Sequence, residues 1–135
     1  MRPLERVPAV RRIDTERSDV FAVEITDEFT SADAENLCGL LEGAYALHPR
    51  IDLLVRLRDL VAVDLTDVED DTLALLRSHT HDNVGNCAVI GETRWRSDIE
   101  SLFSFSSSTT LRHFDAEEEP EAWAWLSARE IPEDV

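Results

Sequence analysis

The apolar positions along the chain change period several times, and each change marks an element. Val7–Ile13 reads as a plausible edge strand. Val20–Ile25 alternates and is β-branched, so it reads as a strand paired with the first across a polar turn at Thr15–Asp19. Thr30 or Ser31 caps a helix, and Asp33 complements its first turn. Ala34, Leu37, Cys38, Leu41 and Tyr45 then recur at helical spacing, until Pro49 stops the helix after His48. Ile51–Leu57 is dense in apolar residues, the mark of a central strand covered on both faces.

Asp59–Thr66 reads as a loop. Asp67 to about Thr80 reads as a helix with Val68, Leu75 and Leu76 inward. His81–Gly85 is an expected turn and Asn86–Ile90 a short buried strand ended by Gly91. Thr93–Phe103 is predicted as a helix burying Trp95, Ile99, Leu102 and Phe103, and Ser104–Thr110 as a loop. Thr110–Phe114 is predicted as a strand. Pro120 suits the first turn of a last helix that buries Ala122, Trp123 and Leu126, with Glu117–Glu119 at its positive end. The order ββαβαβαβα implies a mostly parallel sheet with the first strand antiparallel at an edge. At 135 residues, with no repeat and no Pro/Gly-rich linker, one domain is expected over 1–135.

Charge changes the picture. All 13 basic residues are Arg, and the formal net charge is −16. Residues 1–17 carry +2, so the remainder carries −18. Such a field repels nucleic acid and anionic membranes. It also opposes compaction at low salt, unless counterions screen it within a Debye length of ~3 Å near 1 M. Two readings follow: a salt-rich, halophilic cytoplasm, or an arginine-biased genome with an ordinary acidic surface. No apolar run nears the ~20 residues that span a bilayer, and no apolar core follows the N-terminal arginines, so a cytoplasmic location without membrane insertion is expected. Cys38 and Cys87 sit in apolar contexts and read as reduced, buried thiols.

Three stretches stand out, Ala88-Val-Ile-Gly-Glu-Thr-Arg-Trp95, Arg112-His-Phe-Asp115 and Glu121-Ala-Trp-Ala-Trp-Leu126, of which the last two are the most specific. With Phe21-Ala-Val-Glu-Ile25, Thr30-Ser-Ala-Asp33 and Leu53-Leu-Val-Arg-Leu57, the chain resembles the SpoIIAA-like family of STAS-type domains over nearly its whole length. That family in turn looks like the lipid-binding CRAL-TRIO (Sec14) domain. The resemblance implies a STAS-like α/β fold, a five-stranded mixed sheet with about four helices, and no agreed biochemical activity. Members of the wider STAS group that antagonise anti-sigma factors carry Asp-Ser-Ser-Gly after the third strand, where serine is phosphorylated. Asp64 matches that Asp, but Leu65 replaces the first Ser, Thr66 is the only hydroxyl, and no Gly follows. A phosphate there would face Asp64, Asp67, Glu69, Asp70 and Asp71, a like-charge cost.

Other constellations are weaker. His79, His81, Asp82 and Cys87 have an HxH spacing that suits a strand, but they fall at a helix end and turn, so no metal is expected. The acidic run Asp64–Asp71 lacks calcium-loop spacing. Ser104–Ser108 lacks a nucleophile elbow, and no phosphate-binding glycine motif occurs. With no nucleophile–base set visible, the chain is expected to be non-enzymatic and to need no cofactor. The expected function is a binding or regulatory module acting on an unknown protein partner, with Asp59, Asp64 and Thr66 on its contact surface. The alternative is a carrier of a small apolar, lipid-like ligand between helices and sheet, lined by Trp95, Leu102, Phe103 and Phe105. A homodimer is plausible by base rate, with self-repulsion confining it to high salt.

Overall fold

A computed structural model describes residues 9–64, 66, 68–103 and 109–131, with the backbone alone for 79–82. The elements are β1 (Val10–Ile13), β2 (Val20–Phe29), α1 (Ser31–Leu47), β3 (Ile51–Val63), α2 (Asp70–Asn83), β4 (Val84–Ile90), α3 (Arg96–Phe103), β5 (Thr110–Phe114) and α4 (Glu119–Trp125). Single 3₁₀ turns, Thr93–Trp95 and Ala116–Glu118, lead into α3 and α4. The strands lie in the order β1-β2-β3-β4-β5. β1 runs antiparallel to β2 and every other pair is parallel, so the expected mixed sheet and element order hold.

Alternation along each strand splits the core in two. Phe21, Val23 and Ile25 of β2 point with Leu53, Val55 and Leu57 of β3 toward α1, α2 and α3. Ala22, Leu54, Ala88, Ile90 and Phe114 point the other way, onto Trp123 of α4 and Leu126 at its C-cap. The chain end closes this second face: Thr15 and Glu130 form an antiparallel bridge, and Ile131 N–H donates to Asp14 O at 2.8 Å. Thr30 is the expected cap of α1, and Asp33, expected to complement the first turn, also closes a capping box with it. Pro120 sits in the first turn of α4.

Three expectations are corrected. β3 does not end at Leu57 but runs to Val63, and β2 extends with it to Phe29. Asp27 and Asp59 take left-handed φ of 53° beside a register shift, and this irregularity lets the ladder resume where the acidic residues suggest a loop. α2 begins at Asp70 rather than Asp67 and runs to Asn83, and β4 follows at once, so the expected turn at His81–Gly85 does not form. Gly85 lies inside the strand because Arg50 and Asp52 side chains pack 3.0–3.1 Å from where a Cβ would stand. Leu75 points outward at 42% exposure. Leu73 and Leu76, three apart, form the inward stripe, and Leu75 lies about 100° around the helix from Leu76.

Candidate functional site

Two surface features and one buried network stand out. The first feature is the projection made by the ends of β2 and β3. β4 pairs with β3 only as far as Ile90 opposite Arg56. Gly91 then turns away with φ +144°, so close to Leu57 that a Cβ would come within 2.8 Å of the Leu57 Cβ. Beyond that point β3 keeps β2 on one side, with Glu28 opposite Ala62 and Phe29 opposite Val63, and has no ladder partner on the other among the described residues. Leu60 is buried beneath this segment, whereas Val61 is 70% exposed. Asp64 N–H donates to Phe29 O at 2.8 Å and ends the ladder. Asp64 Oδ1 then accepts the Thr66 N–H at 3.0 Å, an Asx-turn. Hydrogen bonding from Thr66 holds the Asp64 carboxyl below the usual carboxylate range. Asp59, Asp64 and Thr66, the surface expected from sequence, are all exposed and share this projection. Thr66 stands four residues before α2, outside the helix.

The second feature is a groove of about 450 Å³ between the C-terminal half of α1 and the β1–β2 turn, with Phe21 and Val20 at its base. Nothing in the sequence reading singled it out. Its signal was present in Gly39 and Gly43, one turn apart on α1, where a Cβ would meet no atom within 4 Å.

The network lies on the second face of the sheet. Glu24 and Arg56 point inward from β2 and β3 at 5% exposure each. Arg56 Nε donates to Glu24 at 2.8 Å, and its Nη1 donates to Glu119 at 2.7 Å and Glu130 at 3.0 Å. Arg11 reaches Glu24 at 3.3 Å, and Trp123 Nε1 donates to Glu119 at 3.0 Å. Burial would by itself push the Glu24 carboxyl up, but the Arg56 charge and the hydrogen bonds from Arg56 and Arg11 outweigh it and hold it low. Burial would likewise lower Arg56, and the hydrogen bonds it donates to Glu130 and Glu119 raise it instead. A charged residue at an inward position of each apolar strand was the legible signal.

The proposed pocket residues separate. Leu102 and Phe103 are packed into the helical-face core, at 1% and 0% exposure. The space beside α3, bordered by Val89, Ile99, Leu111 and His113, measures about 10 Å³, room for about one water molecule. Trp95 is partly buried against the same core, with the Arg94 guanidinium 4.7 Å from its ring centre. Phe105 lies outside the described residues, as do the side chains of His79, His81 and Asp82. Among the described residues no group of three or more His, Cys, Asp or Glu could hold a metal. Both thiols are buried and free. Burial, then the hydrogen bond to Glu42, pushes Cys38 up to about 11, and burial raises Cys87 further. No helix of the described residues is long and apolar enough to cross a membrane.

Fold and surfaces together define a small α/β domain with a mostly parallel sheet, helices on one face and a clasped terminal helix on the other. The model of the SpoIIAA-like family matches residues 20–127, and the chain belongs to that family. Among solved structures, it is similar to an uncharacterized protein of the DUF3478 family with a SpoIIAA-like fold, from Shewanella loihica PV-4. The TM-score is 0.64 at 24% identity, over 91% of this chain and 98% of that one. A comparison with curated proteins finds no match.

Proposed function

We propose that the chain is a non-enzymatic binding module acting through protein contacts, with the β2–β3 projection as its contact surface. The observation that carries this reading is the edge of β3 from Arg58 to Val63, unpaired among the described residues, where β4 has already turned away and Val61 stands exposed. An unpaired edge offers backbone donors and acceptors to an added strand, and an exposed apolar side chain offers the anchor. Asp59 and Asp64 flank that anchor, so the partner segment should be extended and basic. The buried ionisable groups favour binding over catalysis. Arg56 is saturated by three carboxylates, and both thiols are held protonated at neutral pH.

The test compares partner retention by immobilised wild type, Val61→Lys and Thr66→Glu chains in lysate of the source cell. A discrete protein should be retained by wild type and lost with Val61→Lys, which places a charge on the edge without disturbing the core. Thr66→Glu should weaken retention by adding charge beside Asp64. Retention unchanged in both variants would sink the assignment of this surface.

A further inference from the structure

The groove beside α1 lies away from the β2–β3 projection and carries an inference that does not depend on it. α1 is held at its N-terminal turn, where Asp33 Oδ1 accepts the Ala9 N–H at 3.4 Å. Its C-terminal half, from Gly39 to Leu47, forms one wall of the groove, and the β1–β2 turn forms the other. The volume of about 450 Å³ falls within the ~300–1,000 Å³ of small-molecule sites. Phe21 and Leu40 give it an apolar base, and Leu47 stands 78% exposed on its rim.

One basic side chain at the groove is set apart by its partners. The chain carries −16, and the groove is lined by Arg12, Arg17, His48 and Glu16, with Asp19 beside Arg17. Arg17 is spoken for: it donates to both Asp19 oxygens, at 2.7 and 3.0 Å, and to Leu126 O at 2.8 Å. Arg12 is not. Its guanidinium stacks 5.7 Å from the Phe21 ring centre, and it has no carboxylate partner among the described residues. A weakly hydrated guanidinium held against an aromatic ring, at the edge of an apolar groove, is suited to bidentate capture of a carboxylate.

We propose that this groove binds a small organic anion with an apolar body, its acid group held by Arg12 and its body laid along Phe21, Leu40 and Ala44. Calorimetric titration with decanoate below its micellar concentration tests this, with decanol as the neutral counterpart. Wild type should show saturable binding of decanoate. Arg12→Gln should weaken it by about tenfold, the loss of one charge-assisted pair, and leave decanol unchanged. Gly43→Leu fills the groove at a point where no atom stands within 4 Å, so it should abolish binding of both while the melting temperature holds or rises. No saturable binding by wild type, or binding that survives Gly43→Leu, would overturn the site. Binding lost in Gly43→Leu but unmoved in Arg12→Gln would overturn the anionic ligand.

Discussion

Glu24 and Arg56 are register partners on adjacent parallel strands, and their side chains meet at 2.8 Å on a sheet face otherwise made of Ala22, Leu54, Ala88 and Ile90. The pair does more than neutralise itself. Arg56 also holds Glu119 at the start of α4 and Glu130 on the bridge to Thr15, so one guanidinium ties the sheet to both ends of the segment that covers it.

Removing that guanidinium takes the nearest partner from Glu24 and leaves it only the more exposed Arg11 and Arg58, at 3.3 and 3.6 Å. Glu119 and Glu130 are 25% and 36% exposed at their side chains and can return to water, but Glu24, at 7%, cannot. Arg56→Met is therefore expected to cost about 3 kcal/mol, the lower end of the range for breaking a buried pair, because Arg11 and Arg58 keep part of the compensation. Glu130→Gln should cost no more than about 1 kcal/mol, as for an exposed ion pair. Urea unfolding of the two variants checks this, and equal losses would contradict it.

Acid should act through the same residue. The folded Glu24 carboxyl lies below its ordinary value, and so does Asp19 through its hydrogen bonds from Arg17. A depressed folded pKa gives stability that is complete above the unfolded value of about 4.3 for Glu and is lost as the pH falls through the folded one. The unfolding free energy should fall below about pH 4. Glu24→Gln, already weaker at neutral pH, should follow a flatter acid limb. An acid limb as steep as that of wild type would place the titration elsewhere.

Two glycines should respond in opposite senses. Gly91→Ala forces a Cβ to 2.8 Å from Leu57 Cβ at φ +144°, and should cost about 1–3 kcal/mol. Gly39→Ala meets open space within a helix and should gain up to about 1 kcal/mol. Thermal unfolding of both variants gives the sign directly.

Salt should stabilise the chain. With −16 of net charge, self-repulsion opposes the compact state until ions screen it. The melting temperature is expected to rise from dilute to molar KCl. A flat or falling profile would remove the halophilic reading of the composition.

Much of the architecture was legible because local pattern and burial agree along most of the chain. The Thr30–Asp33 cap, the Thr110–Phe114 strand, Pro120 in the first turn of α4, and the burial of Trp123 and Leu126 all follow from spacing and end chemistry, which are properties of neighbouring residues. The family was legible for the same reason, since its motifs are contiguous. The exposed Asp59, Asp64 and Thr66 could be named as a surface from their place in the expected loop after the third strand and from the family motif, but not as part of a ribbon. What makes them one is that the β3 ladder continues past a bulge, and that depends on β2 supplying partners from 33–34 residues away in sequence.

What the sequence by itself determined is the alternation of strands and helices, the parallel sheet with its antiparallel edge, and the surplus of negative charge. Tertiary structure alone decided which inward charges meet, where β4 leaves β3, and that α1 stands off the β1–β2 turn. The physical reason is that apolar burial is written residue by residue in the period of the chain. Register, edge and groove depend on which segment lies beside which. Glu24 and Arg56 each interrupt an apolar strand, and only their pairing across the sheet makes them a clasp.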